Sequence, residues 1–185
     1  MILRWFAICG VALASFAIGG CARQATASAI APLSTTDRAG NVAKIVQMVS
    51  QQCFDRAPDL GAFENGLKAS GWAFTRTQRA ETANPRALDT WDVPNVTVIR
   101  GQMAKDRIWV CSLLIKQPAA PSLSALRAAL SKEAGTEPGA DGEWWWNRVP
   151  TRKLHMTADG NGERGQNLFI NVEIYRLPWW QGLLG

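Results

Sequence analysis

Apolar residues recur at helical spacing in three parts of the chain. The first part predicts a helix over residues 41–54, and its shared apolar face consists of Val42, Ile45, Val46, Val49 and Cys53. A second helix is predicted from Leu60 to Ser70, with Asp59 as its N-cap. A third opens at Ser122 and ends before Gly135, which favours the left-handed conformation that terminates helices.

Short runs of alternating or uniformly apolar residues predict strands at residues 72–77, 96–102, 107–116, 143–148, 151–157 and 167–176. The run 107–116 is apolar on both faces and is expected to be a central strand. The last run alternates an apolar face with a partly polar one, which predicts one side against the core. Residues 79–94 are polar, contain two prolines and are predicted as a loop.

These elements together predict an α+β fold. We expect one antiparallel sheet of about five or six strands, with two or three helices packed on one face. Residues 22–38 carry small and polar side chains with almost no large apolar residue, so they are predicted to form a flexible tether. The predicted organisation is a cleaved segment over residues 1–20, a tether over 21–40 and a single domain over 41–185.

The first 20 residues have the composition of a signal peptide. Arg4 is their only charge, and it is followed by an apolar stretch that ends in small residues. The apolar run over residues 5–18 is shorter than the roughly 20 residues that a membrane-spanning helix needs. The sequence therefore predicts export, without a permanent transmembrane helix at this position.

The residues Ile18-Gly19-Gly20-Cys21 resemble the lipobox of bacterial lipoproteins. The resemblance covers residues 1–21 only, and beyond it no motif of a known family is identified. It implies that Cys21 is acylated, with palmitate among its chains, and holds the protein on a membrane. Ala22 in place of Asp implies the periplasmic face of the outer membrane in a two-membrane host. The alternative is an ordinary secretory peptide with Cys21 incidental.

The four cysteines divide according to this location. Cys9 leaves with the signal peptide and Cys21 takes the lipid, which leaves Cys53 and Cys111 in an oxidising compartment. They are predicted to form one disulfide, the alternative being two separate buried thiols. The net charge of +5 is small, and the envelope location argues against a nucleic acid partner.

Few residues point to chemistry. His155 is the only histidine and is interpreted as a surface or satisfied strand residue, since one histidine makes no metal set. No metal or other cofactor is expected. Glu143 is a weak catalytic candidate, because it precedes three tryptophans whose faces could stack on sugar rings beside an acid. The alternative interpretation buries Trp144 and Trp146 and exposes Trp145 alone.

Candidate binding residues are the tryptophans Trp144, Trp145, Trp146, Trp179 and Trp180. The last two belong to an apolar carboxyl end that either docks across the sheet or presents a patch to a membrane or a partner. The sequence thus predicts a lipid-anchored envelope protein with a non-catalytic binding or scaffolding domain, whose partner is an envelope protein or a glycan. The alternatives are an envelope glycan hydrolase that uses Glu143, or an inhibitor of a periplasmic hydrolase.

Overall fold

A computed structural model of the chain describes residues 32–69, 75–80, 87–103, 108–149, 152–160 and 166–177. Its strands form one antiparallel sheet in the spatial order β1-β2-β3-β4-β7-β6-β5. The strands are β1 (Thr75–Ala80), β2 (Ala87–Val93), β3 (Val96–Met103), β4 (Ile108–Ile115), β5 (Trp144–Val149), β6 (Arg152–Gly160) and β7 (Leu168–Arg176). Strand β4 occupies the centre of the sheet, as its two apolar faces predict.

The helices lie at the positions that their apolar spacing predicts. They are α1 (Asn41–Met48), which continues as a π-helical segment (Val49–Phe54), α2 (Leu60–Ala69) and α3 (Leu123–Ala134). Asp59 accepts a hydrogen bond from the Ala62 amide, and Ser122 accepts one from the Ala125 amide, so both expected N-caps are present. Gly135 ends α3 in the left-handed conformation. The predicted α+β class is confirmed.

The helices pack on one face of the sheet, which we call the covered face. Helix α3 contacts β5 and β6, and the π-helical segment contacts β4 and β7. Alternate residues of the central strands fill this layer, including Cys111, Leu113 and Ile115 of β4 and Leu168, Ile170, Val172 and Ile174 of β7. Complete burial of each aliphatic side chain contributes roughly 1.5–3 kcal/mol, so this layer dominates the stability of the fold.

Strand β2 corrects the prediction of a loop over residues 79–94, and it brings the described sheet to seven strands. Pro94 lies in the turn to β3 instead of interrupting β2, and Asn95 completes that turn with a positive φ of 66°. Trp91 anchors the strand, since it is fully buried and its ring lies 5.0 Å from that of Phe63 in α2. The polar composition concealed the strand because Thr90 and Asp92 face away from the core.

The folded domain begins earlier than residue 41. Leu33 is only 4% exposed, and its carbonyl accepts a hydrogen bond from the Asn95 side chain. The Ser34 amide donates to Asn41, which is itself fully buried and donates to the Ala119 carbonyl. The last residues assigned to the tether are therefore part of the packed domain. Cys21 and the rest of residues 1–31 lie outside the described residues.

The predicted disulfide is present. Cys53 in the π-helical segment is bonded to Cys111 at the middle of β4, with their Cα atoms 5.3 Å apart. Both residues are fully buried. The bond therefore fixes the helical layer directly to the central strand. Within the described part of the chain, no helix has the length and apolarity needed to cross a membrane.

Candidate functional site

The second face of the sheet, which we call the open face, has no described helix over it. Its side chains are those that alternate with the core residues, and on β6 and β7 they are polar, aromatic or charged. Cross-strand register brings three of them into one row, since Trp145 of β5 pairs with His155 of β6, which pairs with Glu173 of β7. The open face is therefore where functional side chains converge.

His155 is held between two carboxylates. Its Nε2 lies 2.7 Å from Glu143 Oε2, and its Nδ1 lies 3.2 Å from Glu173 Oε2. A carboxylate accepts hydrogen bonds, and a neutral imidazole donates from one nitrogen only. Both contacts are therefore hydrogen bonds at the same time only when each ring nitrogen carries a proton. The His155 side chain is 13% exposed, while Glu143 remains 36% exposed.

Glu143 is positioned by the turn that precedes β5. Its amide donates to Asp141 Oδ1 at 3.0 Å, and its carbonyl accepts from the Gly139 amide at 2.8 Å. Gly142 adopts a φ of 80° in this turn, a conformation that disfavours larger residues. The backbone thereby aims the carboxylate at His155 before the strand begins.

Tyr175 completes the group of four side chains that we call the imidazole cluster, namely Glu143, His155, Glu173 and Tyr175. Its hydroxyl donates to Glu173 Oε2 at 2.5 Å. Burial and the hydrogen bond to this carboxylate raise the pKa of Tyr175 to about 12. Burial acts to raise the pKa of Glu173, but hydrogen bonds from Tyr175 and His155 outweigh it and lower that pKa. The cluster therefore favours a protonated Tyr175 hydroxyl next to an ionised Glu173 carboxylate.

Trp145 lies over the cluster and is 44% exposed. Its ring is stacked on that of His155, with centroids 3.9 Å apart and an interplanar angle of 9°. The ammonium group of Lys153 lies 4.8 Å from the centroid of the indole. A protonated imidazole and an ammonium are both attracted to an aromatic face. The indole thus forms the outer, solvent-exposed part of a site whose inner part is charged.

The three consecutive tryptophans have different roles, because neighbours on a strand point to opposite faces. Trp144 is fully buried and donates from Nε1 to Ser131 of α3 at 3.0 Å. Trp146 packs edge-on against Phe54, at 5.0 Å between centroids. Both belong to the covered face, which corrects their assignment as binding residues and leaves Trp145 on the surface. Trp179 and Trp180 lie outside the described residues.

The polar row extends across the centre of the sheet. Ser112 of β4 donates to Asn171 Oδ1 at 2.7 Å, and the Asn171 side chain is also hydrogen-bonded to Glu173. A chain of hydrogen bonds therefore links β4 to the turn before β5. Phe169 of β7 is 38% exposed and is, with Trp145 of β5, an exposed aromatic residue of this face. The open face thus combines fixed hydrogen-bonding groups with exposed aromatic rings.

The cluster offers limited chemistry of its own. Both nitrogens of His155 already contact carboxylates, so neither is free to take a proton from a substrate. Glu143 does not stand alone in solvent, since Glu173 lies on the other side of the imidazole. The ring fills the gap in which a hydrolase would hold a sugar and a water. Among the described residues, no group of three or more potential ligands is arranged for a metal ion.

Comparison with known proteins adds no relative. No family model matches this chain, and neither the curated proteins nor the solved structures contain a detectable match. The fold and the imidazole cluster therefore define the candidate site by themselves.

The sequence points to Glu143 and Trp145 but not to their partners. Glu173 and Tyr175 fall on the partly polar face of the last predicted strand, and no motif assigns them a role. The signal that could have found them is their i, i+2 spacing on the face of β7 that carries no core residue. The sequence does not reveal the register of the strands, and it is this register that places Glu173 opposite His155.

Proposed function

We propose that this chain is a lipid-anchored, non-catalytic domain of the bacterial cell envelope that binds glycan on the open face of its sheet. The observation that carries the proposal is the imidazole cluster beneath an exposed indole. Trp145 supplies apolar ring surface, while the Glu143 carboxylate, 36% exposed, supplies acceptors at its side. Saccharides present apolar ring faces and a rim of hydroxyl donors, which this combination complements.

The fixed geometry of the acceptors supports binding. Glu143 and Glu173 are held by His155, by Tyr175 and by the turn before β5, so little side-chain freedom is lost when a ligand hydroxyl bonds to them. Preorganised groups strengthen binding by reducing this entropic cost. The hydrogen bonds inside the cluster use Oε2 of each glutamate, and a hydroxyl can approach Glu143 from the solvent side.

A glycan-binding assay with variants of two exposed aromatic residues tests the site. Trp145→Ala should weaken binding of soluble cell-wall glycan fragments at least about tenfold, measured by calorimetry, because a central aromatic contact is removed. Phe169→Ala is the matched control on the same face and should change the affinity less than about twofold. Equal affinities for the unmodified chain and Trp145→Ala would show that glycan does not bind at this site.

A glycoside hydrolase is the second candidate, because the open face carries two carboxylates, Glu143 and Glu173, although the His155 ring occupies the gap between them. Incubation with the same glycan fragments separates the two functions. The binding domain releases no new reducing ends over prolonged incubation. Release that disappears in Glu143→Gln would establish the hydrolase and reject the non-catalytic proposal.

The membrane attachment has a separate test. The lipobox resemblance at Ile18-Gly19-Gly20-Cys21 supports acylation of Cys21. Cells that express the chain should incorporate labelled palmitate into it, and Cys21→Ser should abolish the label and release the protein from the membrane fraction. An unlabelled chain that matures normally would leave the domain as a secreted one. This result is independent of the glycan assay.

A further inference from the structure

The number of protons on His155 decides how many of its contacts are hydrogen bonds. Its Nε2 lies 2.7 Å from Glu143 Oε2 and its Nδ1 lies 3.2 Å from Glu173 Oε2, and an ionised carboxylate can only accept. An imidazolium donates from both nitrogens, whereas a neutral imidazole carries one N–H group and one lone pair. Removal of one proton therefore leaves one carboxylate oxygen facing a lone pair.

The two carboxylates are not equally free to leave the ring. Glu173 Oε2 also accepts from the Tyr175 hydroxyl, and its carboxylate is hydrogen-bonded to Asn171 as well. Among the described residues, the Glu143 carboxylate has His155 as its one hydrogen-bond partner, and its side chain is 36% exposed against 24% for Glu173. A neutral ring therefore keeps its proton on Nδ1 for Glu173, and the Glu143 carboxylate turns into solvent.

The exposed indole of Trp145 depends on the same proton. Its ring is stacked on that of His155 with centroids 3.9 Å apart, and an aromatic face attracts a cation more strongly than a neutral ring. Loss of the charge weakens the contact that orients the indole and releases Glu143 in the same step. Both groups that face the ligand in the proposed glycan site are thus positioned by the imidazolium.

The titratable and charged groups around the cluster come from every element packed against His155. They are Asp141 and Glu143 of the turn before β5, Lys153 of β6, and Glu173 and Tyr175 of β7. Strand β4 adds no charge next to Glu173, because it places Val110 opposite that residue. Among these types of side chain, only histidine ordinarily changes its charge between about pH 5 and 8, since carboxylates titrate near about 4 and tyrosine and lysine near about 10.

We propose that His155 is a positioning residue for the glycan site, and that loss of its second proton releases Glu143 and weakens glycan binding as the pH rises. The inference rests on the proposed glycan-binding function. The ring acts through its neighbours, since its own side chain is only 13% exposed whereas Glu143 and Trp145 reach solvent. Binding is therefore strongest where the ring is doubly protonated, at the acidic end of the range.

Calorimetry and NMR on the protein without a histidine tag test the inference, because His155 is then the only histidine and its ring signals are unambiguous. The affinity for soluble cell-wall glycan fragments should fall about tenfold between about pH 5 and pH 8, since a charge-assisted hydrogen bond that fixes an acceptor is lost. Binding of ligand and binding of the proton are reciprocal. Saturating glycan should therefore raise the midpoint of the His155 NMR titration by about one pH unit.

Three variants separate positioning from a purely structural role. His155→Gln does not titrate in this range, so its affinity should be weaker at the acidic end and independent of pH. In Glu143→Gln the carboxamide accepts from a protonated Nε2 and donates to a neutral one, so the affinity should change less than about threefold over the range. Lys153→Gln is the matched control, because it removes a charge over Trp145 and should retain the full dependence on pH.

The outcomes distinguish this inference from the function on which it rests. Melting curves establish that each variant is folded. Absence of glycan binding at every pH would reject the proposed function and this inference together. Binding with a flat pH profile while His155 titrates would reject the inference alone. A dependence on pH that survives in His155→Gln, or that stays complete in Glu143→Gln, would likewise overturn it and leave glycan binding in place.

Discussion

The two faces of the sheet use the same strands for opposite purposes. On the covered face, β7 presents Leu168, Ile170, Val172 and Ile174, all completely buried beneath the helical layer. On the open face, the same strand presents Phe169, Asn171, Glu173 and Tyr175, each at least partly exposed. One strand therefore contributes a core and a candidate site at once, separated only by the alternation of its side chains.

Stability and specificity reside on different faces of this fold. Apolar burial on the covered face is non-directional and holds the sheet, the helices and the disulfide together. Polar contacts on the open face are directional, since each has a defined donor and acceptor. Because the covered face supplies the stability, the open face can hold a histidine and two carboxylates that add little to it.

Neighbouring residues of β7 test this division with the largest expected effect. Ile170→Ala should lower the free energy of unfolding by about 2–5 kcal/mol, because it removes buried methyl groups and leaves a cavity. Phe169→Ala, one residue away and 38% exposed, should lower it by less than about 1 kcal/mol. Urea denaturation monitored by tryptophan fluorescence measures both. Comparable losses would show that the open face is covered in the folded protein.

The disulfide provides a second test, because it ties the helical layer to the covered face alone. Replacing both cysteines in Cys53→Ala/Cys111→Ala should lower the free energy of unfolding by about 2–4 kcal/mol, since the 58-residue separation is released in the unfolded chain. Calorimetric melting measures the loss. The unmodified protein in reductant is the control, because it loses the disulfide bond but keeps both sulfur atoms. The hydrogen bonds of His155 should survive, and an altered His155 NMR signal in the folded variant would contradict the separation of the two faces.

The covered face was largely predictable from the sequence, and the candidate site was not. Apolar spacing placed all three helices, and alternation in residues 168–176 assigned the correct face of β7 to the core. These signals are local, because burial of a regular element imposes a period on its own sequence. Strand β2 lacks such a clear period, because the polar residues Asp89 and Thr90 stand next to the buried Trp91. The sequence therefore does not predict it.

The imidazole cluster depends on register instead. Glu143, His155 and Glu173 come from a turn and two strands, and their contacts exist because β5, β6 and β7 pair with one particular alignment. A shift of one residue would turn each strand's side chains to the other face. Long-range pairing therefore creates this cluster without leaving a local signal.

The smallest expected effect concerns the electrostatics of the open face at low pH. The pKa of Glu173 is lowered in the fold, so the unfolded chain takes up a proton first as the pH falls. The stability that Glu173 contributes is present above the unfolded pKa, near 4.5, and is lost as the pH falls through the folded value. Denaturation of Glu173→Gln should show a shallower loss of stability with acid. An unchanged pH dependence would mean that the carboxylate is not held by its neighbours in solution.

The alkaline side isolates a single residue, because Tyr175 is the only tyrosine in the chain. Its tyrosinate absorbance should rise with a midpoint near pH 12, well above the ordinary value of 10. Between these values the folded state binds the extra proton, so stability falls as the pH rises.

Glu173→Gln should lower the midpoint toward 10 without reaching it, since burial still raises the pKa. Glu143→Gln should shift it less, because that carboxylate acts on the phenol only through its charge. Equal shifts in the two variants would show that the hydrogen bond to Glu173 does not hold the phenol. The open face would then lack the fixed geometry on which the proposed ligand binding depends.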